Sequence, residues 1–172
     1  MNLILLIVTL LWNTPGAGTL EKPSMVEIRN MLVKAAESKK MNQQLQTKLA
    51  QYGQNDPLIK GYQGASIMIE AKHMFNPMSR WNKFKLGRST VESAIKDDQD
   101  NFELRYLRFA IQTNIPEVLG YSAHIKEDKN FLMKGLPEVK DKDLKHRVVE
   151  YMLQSKACSA EEKIKIKQWK TK

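Results

Sequence analysis

The run NFELRYLRFAIQTNIP, residues 101–116, holds the polar groups of this chain best placed to do chemistry. Phe102, Leu104, Tyr106, Leu107, Phe109 and Ile111 fall all around a helix, yet Glu103, Arg105, Arg108 and Gln112 share the segment. Arg105, Arg108 and Gln112 are spaced three and four apart and so line one helix face, with Glu103 elsewhere on the circumference. Two guanidiniums one turn apart can clamp a carboxylate or a phosphate, because each offers planar, paired donors; Gln112 would add a neutral donor and acceptor. The alternative is internal. Glu103, Asp98 or Asp100, or the carbonyls at the end of a neighbouring helix, would take up the arginines, as buried charges generally require.

A second group lies in KHMFNPMSRWNKFKLGR, residues 72–88. Lys72, Arg80, Lys83, Lys85 and Arg88 occur with no acid between Glu70 and Glu92, interleaved with Phe75, Trp81 and Phe84. Cations beside aromatics suit nucleic acid, through phosphate contacts and base stacking. Export, argued below, makes nucleic acid an awkward partner and favours envelope phosphates, acidic polysaccharide or an acidic protein face. The plainer reading places Trp81 and Phe84 in the core and the cations on the wet side of the same helix. The C-terminal KIKIKQWKTK alternates lysine with apolar residues, and the capping box before it predicts a helix with Ile164 and Trp169 tucked in.

Catalysis has little support. His73, His124 and His146 are scattered, with no HExxH and no paired-cysteine spacing, so neither a metal nor a cofactor is assigned. No GxSxG elbow occurs, and GYQGAS lacks the spacing of a phosphate-binding glycine loop. His124 and Asp128 stand one helical turn apart and could pair, although an exposed imidazole is the more ordinary outcome. A small-ligand receptor or an enzyme would instead bring Glu103, Arg105, Arg108 and His124 together in one pocket. Cys158 is the single cysteine, which excludes an internal disulfide and reads as a small, partly buried residue before a helix.

The opening MNLILLIVTLLWNTPGAGT has an apolar run from Leu3 to Trp12, then a breaking stretch ending in Gly16-Ala17-Gly18. This pattern predicts a signal peptide over 1–18 and a periplasmic or secreted protein, with one domain over 19–172. The run is about half the roughly twenty residues that span a bilayer, so no transmembrane segment is expected in the mature chain. Lys and Arg number 28 against 19 acids, a net +9 carried wholly by the mature part, which favours anionic partners.

From Ser24 onward the spacing is helical and no strand pattern appears. Ser24-Met25-Val26-Glu27 and Ser159-Ala160-Glu161-Glu162 are capping boxes, Asp56-Pro57 and Asn76-Pro77 are cap-and-proline starts, and Asp100 should cap the segment that Pro116 ends. Gly53 suits a left-handed helix end. Further helices are predicted over about 122–136, 141–155 and 159–169. Starts near Ser24, Asp56, Asp100 and Asp141 divide the chain into helix pairs that must stack to bury their apolar stripes. The expected fold is all-α, seven or eight helices in degenerate stacked hairpins.

Two resemblances follow. The segment VESAIKDDQDN, with Gly87, Val91 and Ala94 at small–large–small spacing and an acidic turn after them, resembles the second half of a tetratricopeptide unit. Gln99 stands where that family usually has proline, and the first half of the unit is not recoverable. Nearly all of the mature chain, DNFELRYLRFAIQTNIPEVLGYS included, is similar to small uncharacterised exported helical proteins of the Bacteroidetes. That likeness implies export and a helical fold and brings no activity. The resulting expectation is a non-enzymatic binding or scaffold protein engaging a protein or an anionic envelope polymer through Arg105, Arg108, Gln112 and Glu103, then Arg80, Trp81 and Lys83.

Overall fold

Side-chain caps set where the chain turns helical. In the computed structural model, which describes residues 24–53 and 55–169, Ser24, Asp56, Asn76 and Asp141 each accept a backbone N–H in the first turn of the helix they open. Eight α-helices result among the described residues: α1 Met25–Ala35, α2 Lys39–Ala50, α3 Pro57–Lys72, α4 Pro77–Asp97, α5 Phe102–Asn114, α6 Ile125–Gly135, α7 Lys142–Gln154 and α8 Ala160–Trp169. Short 3-10 turns cover Glu117–Leu119 and Leu136–Glu138, and no strand is present among the described residues. The predicted signal peptide lies outside the described residues. No described helix is long and apolar enough to cross a membrane.

The helices pair in chain order as α1–α2, α3–α4, α5–α6 and α7–α8, so the fold is all-α and built of stacked hairpins. The α3–α4 hairpin is the most extensive contact in the molecule. Its closeness depends on Gly64 and Gly87. A Cβ on Gly64 would lie 2.8 Å from the Val91 nitrogen, and one on Gly87 would lie 2.6 Å from the Gly64 carbonyl oxygen, so the two backbones touch. The other side of α3 buries Ile59, Tyr62 and Ala65 in a core with Ile28, Ala35, Leu45, Leu49 and Leu107. A second core holds Phe109, Leu132, Leu136, Val148, Val149, Met152 and Ile166 between α5 and the last three helices. Cys158 is buried in that second core.

Some boundaries differ from the sequence expectation. Asn101, not Asp100, caps α5 by accepting from the Leu104 N–H at 3.1 Å. Helix α2 ends at Gln51 in right-handed geometry, and Gly120 is the only described residue with positive φ, so Gly53 is no left-handed cap. Helix α6 starts at Ile125, because the 3-10 turn and the left-handed Gly120 use up the preceding residues. In α8 the buried isoleucine is Ile166, whereas Ile164 is exposed. A lysine–apolar alternation is not a helical period, so only one of the two isoleucines can face inward.

Candidate functional site

Helix α5 places its polar residues on two opposite sides, and each side meets a different set of partners. Arg108 donates from Nε and Nη2 to both oxygens of Asp128 at 2.7 and 2.8 Å, and from Nη1 to Glu92 of α4 at 2.7 Å. Asp128 is 0% exposed. It sits in the first turn of α6, where the helix dipole also favours a negative charge. Arg105 donates to Glu127 at 2.6 Å, its Nε lies 3.1 Å from Asp128, and its guanidinium covers the Phe131 ring. Gln112 is buried and accepts the His124 backbone N–H at 3.2 Å. Tyr121 donates to the second oxygen of Glu92 at 2.7 Å.

Glu103 projects from the other side of α5. Arg29 of α1 grips it through Nε and Nη2, both at 2.7 Å, and the Tyr62 hydroxyl donates to it at 2.6 Å. Arg29 also reaches Asp141 at 2.8 Å and Asp143 at 2.9 Å, at the start of α7. Arg147 completes this group, donating to Asp143 at 2.9 Å and to Asn30 at 2.6 Å. Burial combined with paired donors and acceptors makes both assemblies internal braces.

The arginine clamp predicted on α5 is therefore occupied by the chain's own acids. Those acids are Asp128, Glu92 and Glu127, whereas Glu103, Asp98 and Asp100 were the expected partners. Glu103, Arg105, Arg108 and His124 do not share one cavity, since Glu103 belongs to the α1–α7 assembly. His124 pairs with Glu127 at 2.9 Å, not with Asp128, because Asp128 faces the interior. Two surface depressions lie elsewhere: one over α1–α2 beside Met31 and Gln44, the other among Phe102, Phe131, Val139 and Leu144. Sequence reasoning missed Arg29, Tyr62, Glu92 and Asp128 as members of these networks. The visible signal for Asp128 was an acid in a first helical turn, which does not reveal a partner twenty residues away.

The basic segment divides. Phe84 is buried against Ala71 and Tyr121, as the plainer reading had it, but Trp81 is 41% exposed with its ring stacked on Phe84 and Lys85 over it. Lys83 is tied to Glu70 at 2.9 Å. Arg88 lies over the Tyr121 ring. Among the described residues no carboxylate forms an ion pair with Arg80, Lys85 or Arg88.

Burial pushes the Tyr62 phenol well above its ordinary range, and the neighbouring Glu103 carboxylate pushes it further. Burial does the same to Tyr121, aided by Glu92, and to Tyr106, aided by Tyr151. The unfolded chain would lose these protons near pH 10 while the folded one keeps them. Above that pH the folded state therefore binds more protons, and stability falls as pH rises. In an alkaline titration, most phenolate absorbance should appear together with loss of helical circular dichroism. Smooth ionisation of every tyrosine in a protein that stays helical would contradict the buried geometry.

No family model, curated protein or solved structure matches this chain.

Proposed function

We propose that this chain is an exported, non-enzymatic helical binding protein, and that its contact surface is the basic, aromatic outer face of α4. The partner is anionic and belongs to the cell envelope. One observation carries the reading: Glu103, Arg105 and Arg108 of α5 are each paired with charges from other helices, namely Arg29, Asp128, Glu92 and Glu127, while Arg80, Lys85 and Arg88 stand on α4 without an ion-paired carboxylate among the described residues, beside the half-open Trp81. The apolar N-terminal run supports export. The hairpin stack supports a tetratricopeptide-like scaffold that presents a surface and performs no reaction. The pocket reading loses support because its four residues are divided between two separate ion-pair networks.

Titration with long-chain polyphosphate tests the charge complementarity. Binding should weaken steeply with added salt, since each neutralised phosphate releases a counterion. The triple variant R80Q/K85Q/R88Q should lose on the order of tenfold in affinity at low salt. Equal binding by the triple variant, or none by the parent, would refute the assignment.

A further inference from the structure

Phe75 precedes Asn76, the cap of α4, where an apolar side chain ordinarily packs on the fourth residue of the helix. That fourth residue is Arg80, and Phe75 is 100% exposed. Met78 at 67% and Trp81 at 41% follow at three-residue spacing along one face of α4. Beneath them Ala71, Phe84 and Tyr121 pack with Ile115 and Leu119, so the end of α5 and its 3-10 turn reach the same end of the molecule. The exposed Val118 belongs to that turn. Four of the eight exposed large apolar side chains among the described residues thus gather at one end.

Cations accompany them. Arg80 follows Phe75 and Met78 on α4, Lys85 lies over Trp81 and Arg88 over Tyr121, while Lys72 donates to the Ala36 carbonyl at 2.8 Å. The acids there are Glu70, which pairs with Lys83, Glu92, which is held by Tyr121 and Arg108, Glu37, next to the Ala36 that takes Lys72, and Glu117 in the 3-10 turn; Lys72, Arg80, Lys83, Lys85 and Arg88 still leave a positive excess.

We infer that this end docks on an anionic lipid bilayer, with Phe75 and Met78 entering the acyl boundary, Trp81 at headgroup depth and the cations on lipid phosphates. This rests on the anionic-partner reading above and names the partner. A projecting phenylalanine with no apolar neighbour to staple it fits a phase that deforms around it; a folded protein would need a preformed pocket. An indole beside lysine suits the interface, where one part of the side chain is dry and the other wet. Basic residues near such a surface each add attraction. Docking is peripheral, in keeping with the lack of a spanning helix among the described residues.

The test uses the full chain carrying Trp12→Phe and Trp169→Phe, which leaves Trp81 as the sole indole. With equimolar phosphatidylcholine–phosphatidylglycerol vesicles bearing brominated acyl chains, Trp81 emission should shift to the blue and be quenched. Pure phosphatidylcholine should do neither. Phe75→Ser should weaken vesicle binding by on the order of tenfold or more, with helical circular dichroism and polyphosphate affinity unchanged. Arg80→Gln and Lys85→Gln should each cost roughly fivefold on vesicles. Vesicle binding that leaves Trp81 unquenched, or a Phe75→Ser variant that binds as the parent does, overturns the bilayer assignment. Polyphosphate binding without vesicle binding overturns it while the anionic-partner reading stands; binding to neither removes both.

Discussion

Replacing Arg108 with alanine should destabilise the protein by about 3–5 kcal/mol, because Asp128 would be left as a buried carboxylate without its two-pronged partner. For a chain of this size the loss lowers the melting temperature by on the order of 10 °C. Arg105 cannot replace it. Its Nε lies 3.1 Å from Asp128 without forming a hydrogen bond, and its hydrogen bond goes to Glu127 at the exposed rim. The partial cure is specific: adding Asp128→Leu to Arg108→Ala removes the stranded charge and should recover much of the loss. Urea denaturation of the two single variants and the double variant measures this coupling. An Arg108→Ala protein within about 0.5 kcal/mol of the parent, and impaired in polyanion binding, would mark Arg108 as an open contact.

The second large effect is expected at Arg29. Arg29→Met removes the one cation that reaches Glu103, Asp141 and Asp143 together. Glu103 would remain buried with only the Tyr62 hydroxyl against it, again a loss of about 3–5 kcal/mol. Glu103→Gln should be milder, about 1–3 kcal/mol, since Arg29 keeps two acids and the amide still accepts from Tyr62. The order of the two variants is the sharper result. Were Glu103→Gln the more damaging in thermal or urea unfolding, the account of which partner is stranded would be wrong.

Helix class and most helix starts were legible because they depend on neighbours in sequence. A serine, aspartate or asparagine followed by a proline or a glutamate caps its own first turn, and Asp56, Asn76 and Ser159 do so here. Ser159 even forms both halves of its box, accepting from the Glu162 N–H while its own N–H donates to Glu162. The cap at Ser38 escaped notice because two lysines, not an acid or proline, follow it. The choice between Asp100 and Asn101 was a one-residue question that side-chain chemistry alone leaves open. The pairing of charges was illegible for a different reason. Which acid meets Arg108 depends on how α6 lies across α5, and no local spacing encodes that angle. That Gly64 would meet Gly87 also needed the packed hairpin.

Arg29 finds its carboxylates across 74 and 114 residues of chain. During synthesis the first helix is complete while the segments that neutralise its guanidinium are still unmade. A nascent fragment ending at α4 owns the cation and the Tyr62 hydroxyl but neither Glu103 nor Asp143, so its interior stays unfinished. Contacts of such long range form late, after most of the closing entropy has been lost. The last clasp of the fold therefore fastens only when Asp143, close to the end of the chain, has been made.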